Sequence, residues 1–330
     1  DGADVSPQAL RERAMAAEDA ARAVKGVTNS EGGSAGAGRA IVALATSGGF
    51  AGSYSGSSHS VSASVLAGEG AGMQRDYAYH SVRHLADLDD AAAIGREAGD
   101  KAVARLNPIK LKSGPMPVVL DPRVGGSLVG HLIGAITGSS IARKTSFLLE
   151  ALGTEIFGPN ITIIDDPHRL RGLRSKPFDG EGLPTSRRAL IDKGVLTTWL
   201  LDSASARQLG LQPTGHAARG VGGPPGAGAS NLHMEAGSIS PADLMADITE
   251  GFYVTELIGQ GVNGLTGDYS RGASGFVIRN GQIAEAVAEV TIAGNLKDMF
   301  RNLTPANDLT FRYGTNVPTL RVEGLTLAGD

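Results

Sequence analysis

Apolar residues recur at helical spacing in a few stretches of this chain and at strand spacing in many more. Residues 6–25 read as a helix: Ser6 can cap it, Pro7 suits the first turn, acidic and basic residues interleave, and Gly26 ends it. A second Ala-rich helix is expected over 89–106. Between them the period changes to two. A Gly/Ser-rich turn at 30–38 would lead into strands at 41–46, 52–57 and 60–66, whose alternating small and hydroxyl residues predict one wet face. Residues 73–82 fit a further strand. Asn107-Pro108 and Ser113-Gly114-Pro115 break the chain, which predicts an N-terminal α+β domain over 1–107 and a second domain over 108–330.

The second domain opens with a short buried strand, Val118-Val119-Leu120, then a Gly-rich turn and a helix. On that helix Leu128, His131, Leu132, Ala135 and Ile136 make one apolar face. A strand at 161–164 ends in Asp165-Asp166-Pro167 and gives way to an irregular polar run, 168–185. Strands at 188–191 and 195–200 flank Asp192-Lys193-Gly194, read as a three-residue turn, and a helix at 203–209 stops at Gly210. Residues 220–230 (GVGGPPGAGAS) should form an irregular, mobile loop.

A strand at 232–235 and a helix from Ser240-Pro241 to about residue 249 follow, with Asp243 in the place of a capping-box acid. Strands are expected at 254–258, 276–279 and 282–287, the last two joined by Asn280-Gly281. A helix at 296–303 and strands at 309–311 and 319–322 close the pattern. Few strands alternate with helices, so the expected fold is α+β: a first α+β domain, then a larger, mainly antiparallel, β-rich one.

Composition narrows the function classes. The chain has no Cys, which removes thiolate ligands and Cys nucleophiles. Net charge is −4 and no basic run stands out, so direct nucleic-acid contact is not expected. No stretch approaches the roughly 18 apolar residues of a membrane helix, and the first residues lack the order of a signal peptide. The cytoplasm is the expected location.

A hydrolytic metal site on a helix needs two His on a shared face and a carboxylate beside the first. The helix after Leu120 offers one, His131, with no Glu. His131 reads as a packed, hydrogen-bonded core or interface residue; ligation would need partners the nearby sequence lacks. His80 and His84, flanked by Asp76 and Asp87, are either exposed residues of a domain edge or a weak metal pair. Asp165-Asp166-Pro167-His168 suits turn chemistry or an acid at a strand end. Asp179 and Glu181 share one short loop that either contacts a peptide or partner or is a solvated turn. His216 and Arg219, beside the Gly-rich loop, are candidates for ligand contact. Ser270 and Arg271 precede glycines that would let a substrate backbone approach, or that mark a bulge. No phosphate loop or nucleophile elbow is present.

Long segments carry a family resemblance: VRHLADL at 82–88, ARKTSFL at 142–148, ITIIDDP at 161–167 and PFDGEGLPTSRRALIDKGVLTTWLLDSASARQLGL at 177–211. TGHAARG at 214–220, YVTELIGQGVNGLTGDYSRGASGF at 253–276 and VTIAGNLKDMFRNL at 290–303 continue it. With these the chain resembles the TldD/PmbA family, in its PmbA (TldE) branch, shortened at its start. The resemblance implies a two-subunit cytoplasmic metalloprotease acting on unfolded peptides, including microcin precursors and antitoxins, whose members also carry the label modulator of DNA gyrase. In such a pair the TldD-type chain holds zinc with an HExxxH helix and a Cys near its end. Laid on this sequence, the first His falls on Val129 or Gly130 and the second on Gly134 or Ala135, with His131 at best next to the Glu position. Residues 308–319 carry no Cys.

The resemblance therefore implies a chain with no catalytic residue, no metal and no cofactor of its own. Zinc is expected in a TldD-type catalytic partner with which it forms a heterodimer; alone, the chain could form a homodimer. It would shape a cleft for an unfolded peptide, bordered by 220–230 and 270–275, with His131, Asp179, Glu181, His216, Arg219, Ser270 and Arg271 as cleft or partner contacts. No membrane is implied. Two other readings stay open: a peptidase with a divergent centre, and a non-enzymatic homodimeric binding protein or gyrase regulator.

Overall fold

Two helices of small residues set the first unit. The computed structural model describes residues 1–329, which divide into two compact units. The first comprises Asp1–Ala43, Ser53–Ile109 and Arg171–Leu173; the second comprises Leu44–Gly52, Lys110–Leu170 and the chain from Arg174 onward.

In the first unit, helix Pro7–Arg22 starts where Ser6 Oγ accepts the Ala9 amide, and helix Ala91–Ala104 starts where Asp90 accepts that of Ala93. Ala17 and Ala21 of one helix and Ile94, Gly95, Ala98, Gly99 and Ala102 of the other are buried. Their core is completed by Val61, Ala63, Val65 and Ala67, from the middle strand of a sheet ordered Val27–Ala45, Ala51–Ala67, Gln74–Val82. The intervening Ser60, Ser62, Ser64 and Leu66 are only partly buried, which gives the alternation its wetter face.

The expected turn at 30–38 is instead the interior of strand Val27–Ala45. Its glycines serve packing: a Cβ at Gly33 would lie 2.1 Å from the Ala14 carbonyl oxygen, so the strand can approach the first helix only without one.

In the second unit, a six-stranded sheet runs Gln282–Asn295, Asp268–Arg279, Glu250–Ile258, Gly114–Leu120, Leu320–Ala328, Leu303–Pro305. Gln282–Asn295 also pairs with Leu320–Ala328 (Ile292 opposite Leu327), so five of these strands close on themselves. A five-stranded sheet runs Thr315–Asn316, Leu232–Met234, Ile163–Asp165, Arg188–Asp192, Val195–Leu196. Pairing is mostly antiparallel, with parallel exceptions at Gly114–Leu120 with Glu250–Ile258 and at Leu232–Met234 with Thr315–Asn316. The expected α+β class is borne out.

Several local expectations change. The Gly-rich turn after Leu120 is helical: Asp121 caps a helix that already includes Gly125 and Gly126, over Pro122–Ile136. Asp192 pairs with Val195, leaving a two-residue turn in which Lys193 and Gly194 have φ of 47° and 87°. Asn280 and Gly281, at 48° and 79°, make the other hairpin turn as expected. Within 220–230, Gly226–Ala227 pairs with Ala217–Ala218. Residues 309–311 are not a strand. The Asn316 carboxamide accepts the amides of Arg312 and Tyr313 and holds that segment in a loop. The helix opened by Ser240 is only Pro241–Met245.

Candidate functional site

The strand Gly114–Leu120 passes into helix Pro122–Ile136 at Asp121. Its amide donates to Val254 O at 3.0 Å, fixing the chain to the parallel neighbour. One carboxylate oxygen accepts the Arg123 amide at 2.9 Å and the other accepts the Tyr253 hydroxyl at 2.9 Å. Burial, with Asp121 beside it, pushes the Tyr253 phenol far above its usual value, so it stays a donor. Asp121→Ala removes a cap and orphans a buried hydroxyl. It is expected to lower stability by about 2–3 kcal/mol, read from the denaturant midpoint.

The helix presents the four positions where the resemblance places metal ligands. Val129 is 1% exposed and Ala135 is 7% exposed, both turned into the core. Gly130 and Gly134 are exposed, with no atom within 4 Å of where a Cβ would stand. Hydrogen, methyl and isopropyl groups donate nothing to a metal, so this donor set does not fit zinc. Among the described residues, no group of three or more His, Asp or Glu is placed to hold a metal ion.

His131 lies on the same helix and packs its ring edge-to-face on Tyr269, 5.9 Å between centroids. Sequence reasoning had it hydrogen-bonded; its Nε2 is buried and has no partner. Other atoms in that condition include Ser127 Oγ one turn earlier, Thr255 Oγ1, Tyr269 Oη and Arg271 Nε. Burial, aided by the Arg271 charge, lowers the His131 pKa. Burial pushes that of Tyr269 up to about 12, with Arg271 opposing. Strand alternation separates the paired candidates Ser270 and Arg271: Arg271 is 9% exposed, whereas Ser270 faces solvent. Ser127 and Tyr269 were missed from sequence. The one available signal was Ser127 four residues before His131 on the helix face.

A second cluster gathers Asp179, Glu181 and His216. Asp179 Oδ1 accepts the amides of Glu181 and Leu183, and Oδ2 accepts that of Ala217 at 3.0 Å. Glu181 Oε2 accepts the amide and hydroxyl of Ser203 at the start of helix Ser203–Leu209. His216 is buried, its Nε2 lying 3.3 Å from Asp165 Oδ2 and its Nδ1 2.8 Å from Thr214 Oγ1. Asp165 also accepts the amide and hydroxyl of Ser230 at 2.8 and 2.5 Å. Lys176 donates to Ala217 O; burial lowers its pKa while Asp179 and Asp165 oppose. A carboxylate here sits between Ser and His, so the order of a nucleophilic triad is not met. Arg219 is exposed, with its amide and Cβ lying against Gly180 between Asp179 and Glu181.

In the first unit the His80/His84 group is dispersed. Asp76 pairs with Arg105 at 3.3 Å, Asp87 with Arg171 at 2.7 Å, and His80 Nδ1 accepts the Asp89 amide. Asp166 Oδ1 accepts the His168 amide, as turn chemistry predicts.

Residues 1–106 match the PmbA/TldA metallopeptidase central domain and residues 113–329 the PmbA/TldA metallopeptidase C-terminal domain. The chain belongs to the PmbA/TldD family. It is 43% identical over 329 residues to the metalloprotease PmbA of Escherichia coli O157:H7, covering 99% of this chain and 71% of that protein. A PmbA homologue of Haemophilus influenzae is 36% identical, again over 99% and 71% of the two chains. Among solved structures, a proposed modulator of DNA gyrase from Bacteroides thetaiotaomicron superposes with a TM-score of 0.90 at 32% identity, covering 99% of this chain and 72% of that one. TldE from Thermococcus kodakarensis shares the fold, with a TM-score of 0.88 at 24% identity over 99% and 75% of the chains. No helix among the described residues is long and apolar enough to cross a membrane.

Proposed function

We propose that this chain is the non-catalytic, PmbA/TldE-like subunit of a two-subunit metalloprotease that acts on unfolded peptides in the cytoplasm. The observation that carries the reading is the helix Pro122–Ile136, where Val129, Gly130, Gly134 and Ala135 stand at the family's ligand positions without one donor atom. Zinc then belongs to a TldD-type partner, and this chain contributes shape and peptide contact. Strand Val27–Ala45 supports the second role. It has a neighbour on one side only, and Arg39, Ala40, Ile41 and Val42 in it are all exposed. An extended peptide can add to such an edge through backbone hydrogen bonds, which demand little of its sequence.

The test is zinc content and peptide cleavage for this chain alone, for a TldD-type chain alone, and for the two expressed together. Zinc is expected only where the TldD-type chain is present, with cleavage that a chelator abolishes. Stoichiometric zinc, or cleavage, in this chain alone would overturn the reading.

A further inference from the structure

The cluster around Arg271 is left without a role by the reading above. A guanidinium removed from water costs several kcal/mol unless an anion meets it. Arg271 is nine-tenths buried, and no carboxylate lies within 4.0 Å of it among the described residues. Its neighbours supply no anion: Arg271 is the one charged group acting on His131 and on Tyr269. The Tyr269 hydroxyl and His131 Nε2 beside it, and the Ser127 hydroxyl one turn before His131, are buried with no hydrogen-bond partner. A buried positive charge beside unsatisfied polar groups is the complement of a single carboxylate, which takes a guanidinium in a two-bond fork and keeps lone pairs for further donors.

The framework is rigid and open on one side. Tyr269 and Arg271 are alternate residues on one face of strand Asp268–Arg279, and Ser127 and His131 are one turn apart on helix Pro122–Ile136. Ser127, His131 and Thr255 keep partial exposure, and Gly130 beside them opens onto free space.

We infer that Arg271, Tyr269, His131 and Ser127 form a binding site for a carboxylate, supplied by the free C-terminus or an acidic side chain of a bound peptide. The source of the carboxylate rests on the peptide-binding reading; the site itself does not. The test uses the isolated chain, without partner or zinc, so failure here leaves the subunit reading standing, and the converse also holds.

Binding is measured by calorimetry for four probes: an N-acetylated tri-alanine with a free C-terminus, its C-terminal amide, the amide of a Glu-containing tripeptide, and inorganic phosphate. Sodium acetate serves as competitor. The expected result is that at least one carboxylate peptide binds about tenfold or more tighter than the plain amide. Which one it is identifies the source, and acetate competes. Arg271→Gln is expected to abolish this binding without lowering the unfolding midpoint, because it removes an uncompensated buried charge. Arg271→Lys, which keeps the charge and loses the fork, should weaken binding by about tenfold, and Tyr269→Phe by about fivefold. Equal binding of acid and amide, tighter binding of phosphate than of either acid, or an Arg271→Gln variant that loses stability but binds as before would overturn the inference.

Discussion

Asp165→Ala is expected to destabilise the second unit by about 3–5 kcal/mol, the range for removing one partner of a buried charged network. Asp165 is 2% exposed and ends strand Ile163–Asp165, the central strand of the five-stranded sheet. Three donors converge on its carboxylate: the Ser230 amide, the Ser230 hydroxyl and His216 Nε2. It also offsets the charge of Lys176, which burial disfavours. Alanine leaves the Ser230 and His216 donors without that acceptor and takes away one of the two carboxylates whose charge favours Lys176, and the cavity is too polar to relax into apolar contact. Asp165 Oδ2 at one ring nitrogen of His216 and Thr214 Oγ1 at the other hold the ring at both ends.

His216→Ala alone should cost less than Asp165→Ala, because Ser230 keeps its acceptor and Lys176 keeps the nearby negative charge. The double variant should fall short of the sum, since the two residues share a contact. Urea unfolding of the three variants checks this. A loss below about 1 kcal/mol for Asp165→Ala, the scale of an exposed pair, would mean that water reaches the carboxylate.

Legibility in the sequence follows the range of the interactions. Caps and tight turns are local: Ser6 and Ser240 each accept an amide three residues on, and Asn280-Gly281 needs only its own positive φ values. These were readable. The run at 30–38 misled because glycine and serine suit a turn and also suit a strand lying against a helix; the distinguishing fact is the Ala14 carbonyl, far away in the chain. The closure of five strands depends on three residue pairs, from Thr291–Ala328 to Ala293–Thr326, between segments that look like ordinary edge strands.

The candidate site divides the same way. The resemblance placed the four donor-free positions, and helix periodicity placed His131 beside them. Tyr269 and Ser127 could not be joined to His131 without the fold, because they share a surface only when the helix lies over the sheet. From sequence, Asp179 and Glu181 fit either a peptide or partner contact or a solvated turn. Their oxygens instead accept amides of their own loop and of the helix at Ser203, which spacing does not reveal.

Gly95→Ala is expected to destabilise the first unit by about 2–3 kcal/mol, although alanine is the better helix former. On an exposed helix the change would stabilise by up to about 1 kcal/mol. Here a Cβ at position 95 would lie 2.0 Å from the Ala17 carbonyl oxygen and 3.0 Å from Ala20 Cβ. The backbone of helix Pro7–Arg22 cannot rotate away as a side chain could, so the two helices must part by an ångström or so, and overpacking of this kind typically costs 1–3 kcal/mol or more. Separation also loosens Ala17, Ala21, Ala98 and Ala102, whose methyl groups are too short to follow. Gly130→Ala in the second unit supplies the opposite sign, because its Cβ meets nothing within 4 Å and only the propensity gain remains. Thermal unfolding, with hydrogen exchange assigning each change to its unit, measures both. A stabilised Gly95→Ala variant would show that these helices do not meet backbone to backbone, and the small-residue faces would then lose their reason.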